Sequence, residues 1–177
     1  KMAKNVRPDS APAGPSAQEP SFQIGSVPIY GDLILAPMDG ITDSSFRGLC
    51  RGLGSALTVT EFINALDVIQ GHPWYTERLI FTPEQRPLSI QILDDQPDRI
   101  LRAASEIVER FQPDILDVNL GCQSKNVTAR GAGAALMRTP RLIGEIFDLL
   151  THAFQIPITG KIRLGWDDHS MNYMEIA

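Results

Sequence analysis

Residues 87–120 read PLSIQILDDQPDRILRAASEIVERFQPDILDVNL, and this stretch decides the fold class. Pro87–Ile92 is a mostly apolar run of strand length. From Pro97 to Phe111 the period changes, and Ile100, Leu101, Ala104, Ile107, Val108 and Phe111 fall on one side of a helix. Asp114–Val118 then returns to a strand pattern. Two strands joined through an amphipathic helix form a βαβ unit, which implies a parallel sheet.

The same alternation extends in both directions. Upstream, Leu33–Ala36 is an apolar strand, followed by a helix in which Phe46, Leu49, Cys50 and Leu53 make one apolar face, with Thr42 as its N-cap and Gly54 as its stop. A strand at Ala56–Thr60 and a short helix over about Asn64–Ile69 come next. Downstream, Thr139-Pro140 opens a helix running to about Ala153. Pro157–Ile162 is a fifth strand, and Met171–Ala177 begins another helix. Ahead of all this, Phe22–Gly25 and Val27–Tyr30 form a small hairpin.

Repeats of this size suit the N-terminal portion of a TIM (β/α)8 barrel, a fold of about 250 residues, of which about four and a half βα units fit here. A five-stranded flavodoxin-like open sheet meets the same spacing, and spacing alone does not choose between them. Residues 1–20 mix Pro, Ala, Ser, Gly and charges, the composition of a disordered tail, which leaves residues 21–177 as the folded domain.

The 177 residues carry a formal net charge of −5, with 43% hydrophobic and 21% charged residues, ordinary values for one soluble domain. No apolar run approaches the ~20 residues of a membrane span, and residues 1–20 lack the apolar core of a secretory signal, so the expected compartment is the cytoplasm. The two cysteines, Cys50 and Cys122, are too few and too far apart for a disulfide scaffold or metal site. His72, His152 and His169 have no metal-ligand spacing, so no metal is expected. The acidic balance runs against a nucleic-acid surface within this stretch.

The chemically informative residues all follow the C-terminal ends of strands, the face on which barrel active sites are built. Gln91 and Lys161 are polar positions ending apolar strands, and each needs a partner, either a ligand or an internal ion pair. Cys122 lies in a loop with Asn119, Gly121 and Lys125, whereas Cys50 sits on a helix face as a small hydrophobe. Glu61 either orients active-site groups or satisfies loop amides. Gly131-x-Gly133 lacks the third glycine of a dinucleotide fingerprint and is not one.

Taken together, the loop motifs resemble those of the tRNA-dihydrouridine synthases, FMN enzymes that reduce uridines in tRNA with NADPH. Ala36–Asp43 (APMDGITD) matches the family's first-strand motif, and Asn119–Val127 (NLGCQSKNV) matches its cysteine loop, with Gln123 where the family has Pro. Gly131–Met137 and Lys161–Trp166 match two further motifs in the family's order, and the likeness runs from Phe22 to Trp166. The resemblance implies a partial FMN-binding TIM barrel, with the remaining barrel and a helical tRNA-binding domain outside the chain. It implies that Pro37, Met38, Gln91, Asn119 and Lys161 hold the flavin, that Asn119, Lys125 and Arg130 meet tRNA, and that Cys122 is the general acid. Lys125 and Arg130 are equally readable as solvated loop charges.

In that reaction hydride passes from flavin N5 to uracil C6 and a proton from Cys122 to C5. A thiol of pKa ~8.5 is mostly protonated near neutral pH, as a proton donor must be. Two other readings stay open: a flavin reductase of a small pyrimidine, akin to dihydroorotate dehydrogenases, and a non-catalytic fragment. The first and fifth strands are expected as open edges, a route to self-association.

Overall fold

The computed structural model describes residues 19–177; the expected tail over residues 1–20 therefore lies outside the described residues except for Glu19 and Pro20. Phe22–Ile24 (β1) and Val27–Ile29 (β2) pair antiparallel, with Phe22 opposite Ile29 and Ile24 opposite Val27. Gly25 turns between them at φ +56°, and a Cβ there would stand 2.7 Å from Pro157. Both the left-handed backbone and the close approach require glycine. Ile29 is buried against Ala56, Leu57 and Ile115, so the hairpin closes the N-terminal end of the sheet.

That sheet comprises Ile34–Leu35 (β3), Leu57–Val59 (β4), Ile63–Asn64 (β5), Leu88–Leu93 (β6), Ile115–Asn119 (β7) and Ile158–Lys161 (β8). All its pairings are parallel, in the order β3-β4-β6-β7-β8, with β5 also pairing β6. It is a curled half-barrel, the architecture of a partial TIM barrel rather than a flavodoxin-like sheet. The helices are Ser44–Gly52 (α1), Ala65–Ile69 (α2), Pro73–Arg78 (α3), Pro97–Phe111 (α4), Lys125–Thr128 (α5), Pro140–Ala153 (α6) and Tyr173–Ile176 (α7).

Successive side chains of a strand point to opposite faces, and this alternation divides the molecule. Leu88, Ile90 and Ile92 of β6 and Leu116 and Val118 of β7 bury against Ile100, Ala104 and Ile107 of α4 and Ile143, Ile146 and Leu150 of α6. Each fully buried Leu or Ile contributes roughly 1.5–3 kcal/mol. The intervening residues Gln91, Asp117, Asn119, Thr159 and Lys161 take the opposite, inner face. Register aligns them: Gln91 pairs with Asp117, Asp117 with Thr159, and Asn119 with Lys161.

The first βα unit departs from expectation. Leu49 of α1 and Leu53 just after it are 59% and 77% exposed, while Arg47 is 0% exposed. The helix turns Arg47 inward because two backbone carbonyls need a donor there: Nη1 donates to Thr42 O and Nη2 to Ile80 O, both at 2.6 Å. Burial lowers the Arg47 pKa, opposed by the nearby Glu61 and Asp43 charges. The N-cap is Asp43, whose carboxylate accepts from Phe46 N–H at 2.8 Å, rather than Thr42. Thr42 instead closes the preceding turn, exchanging 3.1 Å hydrogen bonds with the N–H and C=O of Met38. Cys50 is half-buried.

Strand β3 is only two residues long and pairs on one side alone, Ile34 with Leu57 and Leu35 with Thr58. Thr139 precedes α6 but gives it no side-chain cap; its hydroxyl donates back to Leu136 O at 3.1 Å. Helix α3 and the short β5 had no clear sequence signal. Arg47→Ala strips the buried Thr42 carbonyl and the part-buried Ile80 carbonyl of a charged donor and is expected to cost about 3 kcal/mol. Urea denaturation measures this, and a loss below about 1 kcal/mol contradicts the role.

Candidate active site

Beyond the C-terminal ends of the strands, the inner-face residues converge on a pocket of about 190 Å³. Pro37, Gln91, Asn119, Cys122 and Lys161, all singled out in the sequence, line it together with Asp39, Phe62 and Gly121. Met38 is absent from this lining: its N–H and C=O are spent in the turn with Ile41 and Thr42.

A continuous hydrogen-bond chain crosses the floor. Thr159 Oγ1 donates to Asp117 Oδ1 and Gln91 Nε2 donates to Asp117 Oδ2, both at 2.6 Å. Asn119 Nδ2 donates to Gln91 Oε1 at 2.8 Å. Asn119 Oδ1 in turn accepts from the N–H groups of Gly121 and Cys122, at 3.1 and 2.9 Å. Gln91 N–H donates to Thr60 Oγ1 at 3.2 Å. Burial raises the Asp117 pKa, against the lowering effect of the bonds from Gln91 and Thr159 and of the Lys161 charge. Lys161 is exposed and makes no ion pair with a described residue within 4.0 Å.

The Cys122 loop is held from below. Cys122 is half-buried beside Leu93, Val127, Ala132 and Phe62, and its C=O accepts from Ala134 N–H at 2.9 Å. Gly133 adopts φ +61°, and a Cβ there would stand 2.7 Å from that same carbonyl. This glycine is therefore a packing requirement of the cysteine loop. Gln123, placed by its surroundings with its carbonyl toward Arg163, accepts from Nε and Nη2 at 3.1 Å each. The buried Glu61 accepts from Gly40 N–H at 2.5 Å and faces Arg78 Nε at 3.9 Å, while Arg78 binds Asp39 at 2.5 Å. Glu61 thus satisfies a loop amide and braces the loop after β3.

Lys125 is an exposed residue opening α5, and Arg130 donates to Asn64 Oδ1; neither lines the pocket. Arg138 stacks over Trp166 at 5.3 Å on a neighbouring rim. Among the described residues, no group of three or more His, Cys, Asp or Glu is arranged to hold a metal ion, and no helix is long and apolar enough to cross a membrane. Sequence reasoning missed Asp117, Thr159 and Phe62. The signal that exposed Gln91, a polar residue in an apolar strand, applies equally to Asp117.

The raised Asp117 pKa fixes the sign of a pH dependence. Ionising this carboxyl costs more in the fold than in the unfolded chain, so its contribution falls as pH rises from about 4 through the raised folded value. The stability of Asp117→Asn relative to the parent is therefore expected to grow across that interval in urea denaturations. A difference that shrinks with rising pH contradicts the assignment.

Residues 34–177 match the dihydrouridine synthase family model. The chain is 39% identical to tRNA-dihydrouridine synthase B of Pseudomonas aeruginosa over 155 residues, covering 88% of this chain and 46% of the relative. It is 36% identical to the Shewanella oneidensis protein of that name over 156 residues, 88% of this chain and 48% of the relative. A probable tRNA-dihydrouridine synthase of Aquifex aeolicus is 38% identical over 141 residues, 77% and 44% of the two chains. The chain thus spans about half the length of the curated relatives it matches. Motif order, half-barrel fold and family match agree, and the chain belongs to the dihydrouridine synthase family.

Proposed function

We propose that this chain carries the catalytic loops of a cytoplasmic tRNA-dihydrouridine synthase, which reduces the C5=C6 bond of uridine in tRNA using NADPH and FMN. The observation that supports this most is the meeting of a half-buried thiol, two amides and a lysine without an ion-pair partner among the described residues in one pocket beyond a parallel sheet. Parallel-barrel enzymes carry their chemistry at that face.

The residues present fit a flavin ring. Pro37 offers an apolar wall, Gln91 retains one unshared amide hydrogen, and Lys161 offers a cation to the polar edge of the ring. When bound, FMN reduced by NADPH supplies the hydride that uracil C6 receives. Cys122 does the rest of the chemistry: its S–H gives a proton to C5, leaving a thiolate that water or buffer reprotonates. Asn119 holds the Gly121 and Cys122 amides, which sets where the thiol points. Asn119 also borders the space a uracil would occupy. Lys125 and Arg130, which follow the cysteine loop, would meet phosphates of tRNA; removing such contacts weakens binding more at low salt than at high salt.

The test joins this chain to the part of the Pseudomonas aeruginosa relative that it does not match and incubates it with FMN, NADPH and unmodified tRNA. Dihydrouridine is expected in the tRNA. Cys122→Ala is expected to lower turnover by about 10²–10⁴-fold, the usual contribution of a general acid, while flavin absorbance is retained. Reduction of free pyrimidines but not tRNA, or full activity in Cys122→Ala, contradicts the proposal.

A further inference from the structure

From the cysteine loop down to Asp117, every side-chain hydrogen bond runs in one direction. The Gly121 and Cys122 N–H groups give to Asn119, Asn119 gives to Gln91, and Gln91 gives to Asp117. A primary amide has a donor end and an acceptor end, and either can face a given neighbour. Two consecutive buried amides therefore have two possible senses, and only the groups at the two ends of the chain can choose between them. An ionised carboxylate only accepts, so Asp117 draws the NH2 of Gln91 toward itself. The carbonyl of Gln91 then faces Asn119, whose NH2 must turn to it. Asn119 is left with its carbonyl toward the loop, where two backbone N–H groups need an acceptor. The opposite sense would set NH2 against N–H at the loop.

We propose that Asp117 is a positioning residue that, through Gln91 and Asn119, fixes the loop bearing Cys122. Thr159 completes the device by donating to the second Asp117 oxygen, so the carboxylate has both oxygens engaged and stays aligned with Gln91. Neither Asp117 nor Thr159 lines the pocket; they act through the amides. Parallel register makes this possible, since Gln91, Asp117 and Thr159 occupy one row across β6, β7 and β8. The consequence for proton donation rests on the function proposed above. The sense of the hydrogen bonds does not.

Isosteric exchange tests the polarity itself. Gln91→Glu sets two carboxylates against each other, where the parent separation is 2.6 Å, and removes the donor that Asp117 needs. Combining Gln91→Glu with Asp117→Asn moves the carboxylate to the middle of the chain. The amide introduced at position 117 can then donate to the carboxylate introduced at position 91, which also accepts from Asn119. The double variant keeps the parent's side-chain sizes and total charge.

The readout is iodoacetamide alkylation of Cys122, followed on its tryptic peptide, which separates it from Cys50; neither flavin nor tRNA is needed. Gln91→Glu is expected either to unfold or to alkylate about tenfold faster, as repulsion from Asp117 displaces the side chain at position 91 and with it Asn119, which holds the Gly121 and Cys122 N–H groups. Adding Asp117→Asn is expected to return folding, by circular dichroism, and alkylation to near the parent's values. A Gln91→Glu variant that behaves like the parent overturns the proposal. So does a double variant no better than the single, which is what mere packing at these two positions predicts.

Discussion

Asp117 lies near the middle of β7 with both carboxylate oxygens engaged, one by the Gln91 amide and one by the Thr159 hydroxyl. A charge buried in a sheet is tolerated only when neighbours supply donors, and parallel register is what brings donors from both adjacent strands to the same level. The inner face of this half-barrel is therefore a polar floor whose hydrogen bonds lead outward to the cysteine loop. The outer face has the opposite character: Leu, Ile and Val from the same strands bury against α4 and α6. Alternation along the strands lets one set of residues stabilise the fold while the other builds the site.

The same geometry explains what is less well held. Strands β3 and β8 stand at the two ends of the sheet path. Near β3, Leu33, Ile34, Leu49 and Leu53 are exposed; near β8, Phe147, Ile158, Ile162 and Ile176 line an open apolar groove of about 600 Å³. The loop after β3 depends less on sheet pairing than on buried side chains from elsewhere. Glu61 takes the Gly40 amide, and Arg47 takes the carbonyls of Thr42 and Ile80.

Much of this was legible in the sequence because it rests on periodicity. Helix α4 begins and ends at Pro97 and Phe111 as its apolar repeat dictates, and the hairpin turns at Gly25. Helix α1 misled for a physical reason: an apolar stripe buries only if something covers it, and here Arg47 answers a stronger demand from unsatisfied carbonyls. The site was readable where a polar residue interrupted an apolar strand, as at Gln91 and Lys161. Asp117 and Thr159 stayed hidden because their importance lies in cross-strand register, which a single chain of letters does not display. The left-handed Gly133 was visible as a glycine, but only its approach to the Cys122 carbonyl gives the reason.

We propose that the inner-face residues and the cysteine loop form a flavin site. Amide NMR spectra of the isotope-labelled chain, recorded as FMN is added, test it most directly. Shifts are expected to concentrate at Gln91, Asn119, Gly121, Cys122 and Lys161 and to saturate with FMN. Saturable shifts at residues remote from this pocket, with these amides unmoved, would contradict it.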